Sequence, residues 1–123
     1  MENTIQTYRD LIVWQKSMEL VVLVYEFTES FPPREMYGLA SQLRRAAVSI
    51  PSNIAEGRRR GSRKDYAQFL RIAYGSGAEV ETQLEIAKRL RYDKEYSLER
   101  LESLLTELMK MLNAMLASLQ ATS

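Results

Sequence analysis

Apolar residues recur at alternating intervals of three and four in four separate stretches of this chain, and no stretch alternates with the two-residue period of a strand. The pattern predicts an all-α fold with helices over about residues 8–30, 35–57, 63–91 and 94–119. In the first, Leu11, Trp14, Met18, Val21 and Tyr25 form the expected inward seam, and Phe31-Pro32-Pro33 ends it because proline cannot continue a helix. In the second, Glu35 suits the positive end of the helix dipole and Gly57 reads as a stop. Pro51 lies inside it and removes a backbone donor. A kink is expected there rather than a break, because Leu39, Leu43, Ala46, Ile50 and Ile54 keep helical phase on both sides.

The third helix opens on Ser62-Arg63-Lys64-Asp65, which has the form of a capping box. Tyr66, Phe69, Ile72, Ala73, Val80, Leu84, Ala87 and Leu90 are expected to face inward, and the small run Gly75-Ser76-Gly77 points to a closely approaching neighbour helix. The fourth keeps a heptad alternation without a miss at Leu98, Leu101, Leu105, Leu108, Leu112, Met115 and Leu119. Leu104, Met109, Met111 and Leu116 fall outside that seam, as Val13, Leu20, Val24 and Phe27 do on the first helix. Apolar surface beyond the needs of one core predicts self-association.

A length of 123 residues suits one domain over 1–123. The chain has no Cys and no His, which removes disulfides, thiol nucleophiles, imidazole bases and the usual zinc and haem ligands. No metal site and no cofactor is expected. The first residues lack a basic region followed by an apolar one, and the longest apolar run, Leu20 to Tyr25, is far short of a membrane span. A soluble cytoplasmic protein with no membrane partner is the expectation.

The net charge is only +1, but it is unevenly placed. Residues 1–57 carry five Lys/Arg against seven Asp/Glu, residues 65–123 carry seven against nine, and the seven residues between them carry five cations and no acid. Those cations, Arg58, Arg59, Arg60, Arg63 and Lys64, are expected on a loop between two helices. They suit phosphates in a salt-sensitive contact without sequence readout; a solvated loop that discourages aggregation is the bland alternative. Clustering of such loops on one face of a symmetric oligomer would favour binding. Arg44 would lend lesser help.

A polar file runs along the second helix at Gln42, Arg45, Ser49, Asn53 and Glu56, matched on the third by Ser76, Glu79 and Gln83. It could be a catalytic cluster, or a buried hydrogen-bond network that sets the register of two antiparallel helices. Chemical supply favours the second reading. A carboxylate base would need a raised pKa, which neighbouring arginines oppose, and Ser49, Ser52 and Ser76 have no His to activate them. A di-metal carboxylate bundle needs a Glu-x-x-His pattern that cannot occur here. No catalytic residue is assigned, and a non-enzymatic protein is expected.

Taken together, Trp14, Phe31-Pro32, Glu35-x-Tyr37-Gly38-Leu39, Gln42-Leu43-Arg44-Arg45-Ala46, Ser49-Ile50-Pro51-Ser52-Asn53-Ile54-Ala55-Glu56-Gly57 and Ala73-x-Gly75-Ser76-x-x-Glu79 resemble the bacterial proteins encoded by intervening sequences of 23S ribosomal RNA genes. The resemblance spans about residues 8–119. It implies an up-down-up-down antiparallel four-helix bundle that assembles as a ring, a homopentamer being typical, with no catalytic residues. A related branch, the accessory variability determinant of diversity-generating retroelements, is a pentameric barrel that binds nucleic acid and a reverse transcriptase. The expected partners are therefore other copies of the chain and RNA, DNA or a nucleoprotein, bound through the basic loop. A protein-binding scaffold, or an accessory to a reverse transcriptase, is the alternative.

Overall fold

The computed structural model describes residues 4–121; Met1–Asn3 and Thr122–Ser123, at the ends of the expected 1–123 domain, lie outside the described residues. Four helices account for most of it: α1 (Ile12–Glu29), α2 (Leu39–Arg60), α3 (Arg63–Arg89) and α4 (Glu99–Ala121). Single 3-10 turns at Tyr8–Asp10 and Pro33–Glu35 precede α1 and α2, and there is no strand among the described residues. Each helix packs on the next and α4 returns to α1. The short α2–α3 connection makes those two helices antiparallel neighbours. The result is the expected all-α four-helix bundle. The α2–α3 pair is the most intimate in it.

The core is continuous from end to end. Leu20, Phe27, Leu43, Ile50, Ile54, Leu70, Leu84, Leu101, Leu108 and Leu112 are its largest enclosed aliphatic and aromatic side chains. The heptad expected on α4 is buried from Leu98 through Leu112, and Leu104 and Met109 join it. On α1 the buried stripe is Val13, Ser17, Leu20, Val24, Phe27 and Thr28, not the expected seam. Leu11, Trp14 and Val21 only flank the core, and Met18 and Tyr25 are exposed. This helix is apolar around most of its circumference, so periodicity alone does not select the stripe that α2 and α4 cover. The two buried hydroxyls on it are satisfied within the helix, Ser17 donating to the Trp14 carbonyl at 2.7 Å and Thr28 to that of Val24 at 2.8 Å.

Helix boundaries also move, each for a local reason. The 3-10 turn ahead of α1 opens on a capping box: the Asp10 carboxylate accepts from the Gln6 and Thr7 amides at 2.9 and 3.0 Å, and the Thr7 hydroxyl accepts from the Arg9 amide. Those backbone donors hold the Asp10 carboxyl below its ordinary range. α2 begins at Leu39, and Glu35 caps it from outside by accepting from the Leu39 amide at 3.0 Å. Pro51 is buried within an uninterrupted α2. α3 stops at Arg89 because Arg91 turns left-handed, at φ 64°, and closes a Schellman motif in which Tyr92 N–H bonds to the Ala87 carbonyl at 2.9 Å and Arg91 N–H to that of Lys88 at 3.0 Å. α4 starts at Glu99 rather than at residue 94. Tyr92 and Tyr96 are drawn instead onto Phe31 and Phe27, with ring centroids 4.9 and 5.4 Å apart.

Candidate basic end and polar seam

The basic stretch is not a loop. Arg58, Arg59 and Arg60 form the last turn of α2, Arg63 and Lys64 the first of α3, and only Gly61-Ser62 lies between them. Two physical causes extend α2 past its expected stop. Cations suit the negative end of the helix dipole, and Gly57, which is buried, is a packing glycine: a Cβ there would lie 2.7 Å from Phe69 Cβ and 3.2 Å from Tyr66 Cδ1. Gly61 supplies the turn at φ 85°. Ser62 then caps α3 by accepting from the Asp65 amide at 3.1 Å, which is half of the expected capping box.

All five cations are exposed at this end of the bundle. Arg60 pairs with Glu56 at 3.1 Å along its own helix and lies 5.0 Å over the Phe69 ring. Arg59 lies 5.6 Å over Tyr8, whose ring also carries Arg9 at 5.5 Å. The fold thus brings a sixth cation, Arg9, to the same end, which sequence spacing had no means of indicating. Arg58, Arg63 and Lys64 have no carboxylate partner among the described residues. Arg44 is committed elsewhere, its Nε donating to the Thr28 hydroxyl at 2.8 Å and its guanidinium resting 4.5 Å above Tyr25.

Between α2 and this turn, Tyr66 and Phe69 are half-buried against Gly57. The Tyr66 hydroxyl is enclosed and has no hydrogen-bond partner among the described residues. Burial pushes its pKa up, against the opposing charge of Arg58. Arg58, Arg63, Tyr66 and Leu119 line a notch of about 350 Å3 here.

The polar file divides into two parts. Ser49 and Ser76 meet across α2 and α3 with their hydroxyl oxygens 2.8 Å apart, and Asn53 donates to the Ser49 carbonyl and hydroxyl at 2.8 and 2.9 Å. Of these contacts, only that between Ser49 and Ser76 joins the two helices. Gln42, Arg45, Ser49, Glu79 and Gln83 line a shallow cavity of about 390 Å3 on the same face. Arg45 and Glu79 do not pair, and the enclosed Gln83 Oε1 has no donor among the described residues. Glu56 leaves the file to bind Arg60. Ser49 shares its hydroxyl with Asn53 and Ser76 and has no base beside it. No group of three or more Asp or Glu among the described residues is placed to hold a metal ion, and no described helix is long and apolar enough to cross a membrane.

Comparisons with known proteins bear on the fold and the family. No curated protein matches the chain. Among solved structures, a protein of unknown function from the S23 ribosomal protein family of Bacteroides thetaiotaomicron superposes with a TM-score of 0.75 at 29% identity, covering 85% of this chain and 98% of that one. The family model described as 23S rRNA-intervening sequence protein matches residues 9–114. The chain belongs to the 23S rRNA-intervening sequence protein family.

Proposed function

We propose that the protein is a non-enzymatic, homo-oligomeric four-helix bundle of the cytoplasm that associates with RNA or a nucleoprotein through the basic α2–α3 turn. The observation that carries this reading is the placement of Arg58, Arg59, Arg60, Arg63 and Lys64 at one end of the bundle, with three of them unpaired among the described residues. Arg9 adds to the same field. Unpaired guanidinium groups projecting from helix ends suit phosphate oxygens, and they carry no sequence information by themselves. A contact of about five phosphates gives a steep salt dependence: affinity for RNA should fall roughly 100- to 500-fold between 50 and 200 mM salt. Filter binding with a structured RNA tests this. Loss of binding when the five cations are changed to Gln supports the reading, and binding that survives those changes overturns it.

Self-association finds support in apolar surface left uncovered on α1. Met18, Val22 and Tyr25 share one face at helical spacing and are 41%, 55% and 42% exposed. The same surface favours the second reading, a scaffold that engages a protein partner such as a reverse transcriptase and has no nucleic-acid role. Light scattering with and without RNA separates the two. A pentamer that gains mass with RNA supports the first; a stable oligomer indifferent to RNA at low salt supports the second.

A further inference from the structure

We propose that the notch at the α2–α3 turn is a phosphate subsite, in which Tyr66 donates its hydroxyl proton to one phosphate oxygen while Arg58 and Arg63 hold the charge. This rests on the RNA reading and deepens it, since it turns part of a diffuse electrostatic contact into a defined pocket. Three observations converge on the notch.

The first is an orphaned donor. The Tyr66 oxygen is enclosed and has no partner among the described residues, whereas the large majority of buried hydroxyls in folded proteins are paired. The second is the lining, whose residues include Arg58, Ser62, Arg63 and Tyr66 and no Asp or Glu, around a volume of about 350 Å3. Neither arginine has an acidic partner among the described residues. The third is the protonation state. Burial raises the Tyr66 pKa from its ordinary 10.0, so at neutral pH the phenol keeps its proton and can donate it.

A donor lacking an acceptor, beside cations lacking an anion, is complementary to an anionic oxygen. A phosphate offers several oxygens to separate donors at once, which a carboxylate does less well. Arg58 is exposed and close enough to act on the phenol electrostatically. Because the hydroxyl is enclosed, phosphate reaches it on this proposal only by displacing a lining side chain, and Arg58 and Arg63 are the exposed ones free to shift. The same chemistry is presented by a terminal phosphate of an RNA and by an internal phosphodiester.

The test compares the full-length protein with Tyr66→Phe and Arg58→Gln. Each is titrated at fixed ionic strength with inorganic phosphate, acetate, and a short RNA carrying either a 5′-phosphate or a 5′-hydroxyl. Tyr66→Phe should weaken phosphate and RNA binding roughly 10-fold, leave the salt slope unchanged because no charge is lost, and raise the thermal midpoint because an unpaired buried hydroxyl is gone. Arg58→Gln should weaken binding and flatten the slope by about 1. Preference for the 5′-phosphate RNA assigns the terminal source, and equal weakening of both RNAs assigns the internal one. A Tyr66→Phe protein that is more stable yet binds as the wild type does overturns the subsite and leaves the RNA reading standing. Phosphate binding that depends on Tyr66, with neither RNA bound, overturns the RNA reading and keeps the subsite. Acetate binding as tightly as phosphate overturns the assignment to phosphate.

Discussion

Tyr92 donates its hydroxyl proton to Glu35 Oε2 at 2.8 Å, tying the α3–α4 connection to the residue that caps α2 through its other carboxylate oxygen. One side chain therefore locks two loops and a helix start. The amide of Leu39 first, and the Tyr92 hydroxyl second, hold the Glu35 carboxyl below its ordinary 4.5. A folded-state pKa lower than the unfolded one gives stability that is present above the unfolded value and is lost as pH falls through the folded value. Urea midpoints should therefore drop between pH 5 and pH 3 more in the wild type than in Glu35→Gln. Equal acid sensitivity of the two proteins would show that Glu35 contributes nothing.

Gly57 and Gly75 look alike in sequence and should respond oppositely to alanine. A Cβ at Gly57 meets Phe69 Cβ at 2.7 Å and has a backbone oxygen, that of Tyr66, 3.4 Å away, so neither neighbour can swing clear. Gly57→Ala should cost about 1–3 kcal/mol as overpacking. At Gly75 the same Cβ meets nothing within 4 Å, and Gly75→Ala should stabilise α3 by about 1 kcal/mol. Chemical denaturation of the two variants checks both signs.

The contact between Ser49 and Ser76 couples α2 to α3 at a partly buried point. Each single change to Ala should cost about 1 kcal/mol. In the double variant the losses should fall short of additivity by roughly 0.5–1.5 kcal/mol, the range expected for residues in one hydrogen-bond network. Full additivity would mean that the hydroxyls act independently and do not set the register.

Arg91 is a non-glycine residue in the left-handed region, at φ 64°. Glycine adopts that conformation without the Cβ penalty, so Arg91→Gly should raise stability by about 1 kcal/mol despite its more flexible unfolded chain. A thermal midpoint that falls instead would assign the Arg91 side chain a stabilising role that outweighs the backbone strain.

Val22 is 55% exposed between Met18 and Tyr25. Replacing it with Glu should leave the fold intact by circular dichroism, since surface changes of this kind alter stability by only about ±0.5 kcal/mol. If this face joins copies of the chain, the mass measured by light scattering should fall. An unchanged oligomer would place the joint elsewhere.

The α4 heptad, from Leu98 to Leu112, was legible because its apolar residues recur at heptad spacing without a miss, although Leu104 and Met109 widen the buried stripe beyond it. Its start was not. Tyr92 and Tyr96 sit in a segment with helical spacing, but Phe27 and Phe31, far away in sequence, capture them. α1 offered too many apolar positions to choose among, and only its enclosure by α2 and α4 selected Val24 over Tyr25. The polar seam was legible as a set of residues. The pairing within it was not: Glu56 turns away from the file to Arg60, one turn further along its own helix.

By itself, the sequence determined the helical class, the number of helices, the family motif and the concentration of cations on either side of Gly61, because periodicity, breakers and charge are local properties of a chain. The tertiary structure alone decided that Gly57 is a packing contact rather than a stop, that the cations sit on two helix ends rather than a loop, and that Arg9 joins them while Arg44 does not. It also decided that the Tyr66 hydroxyl is enclosed beside them with no partner among the described residues. Each of these depends on which faces the helices present to one another, and that is settled only when residues distant in sequence compete for the same buried space.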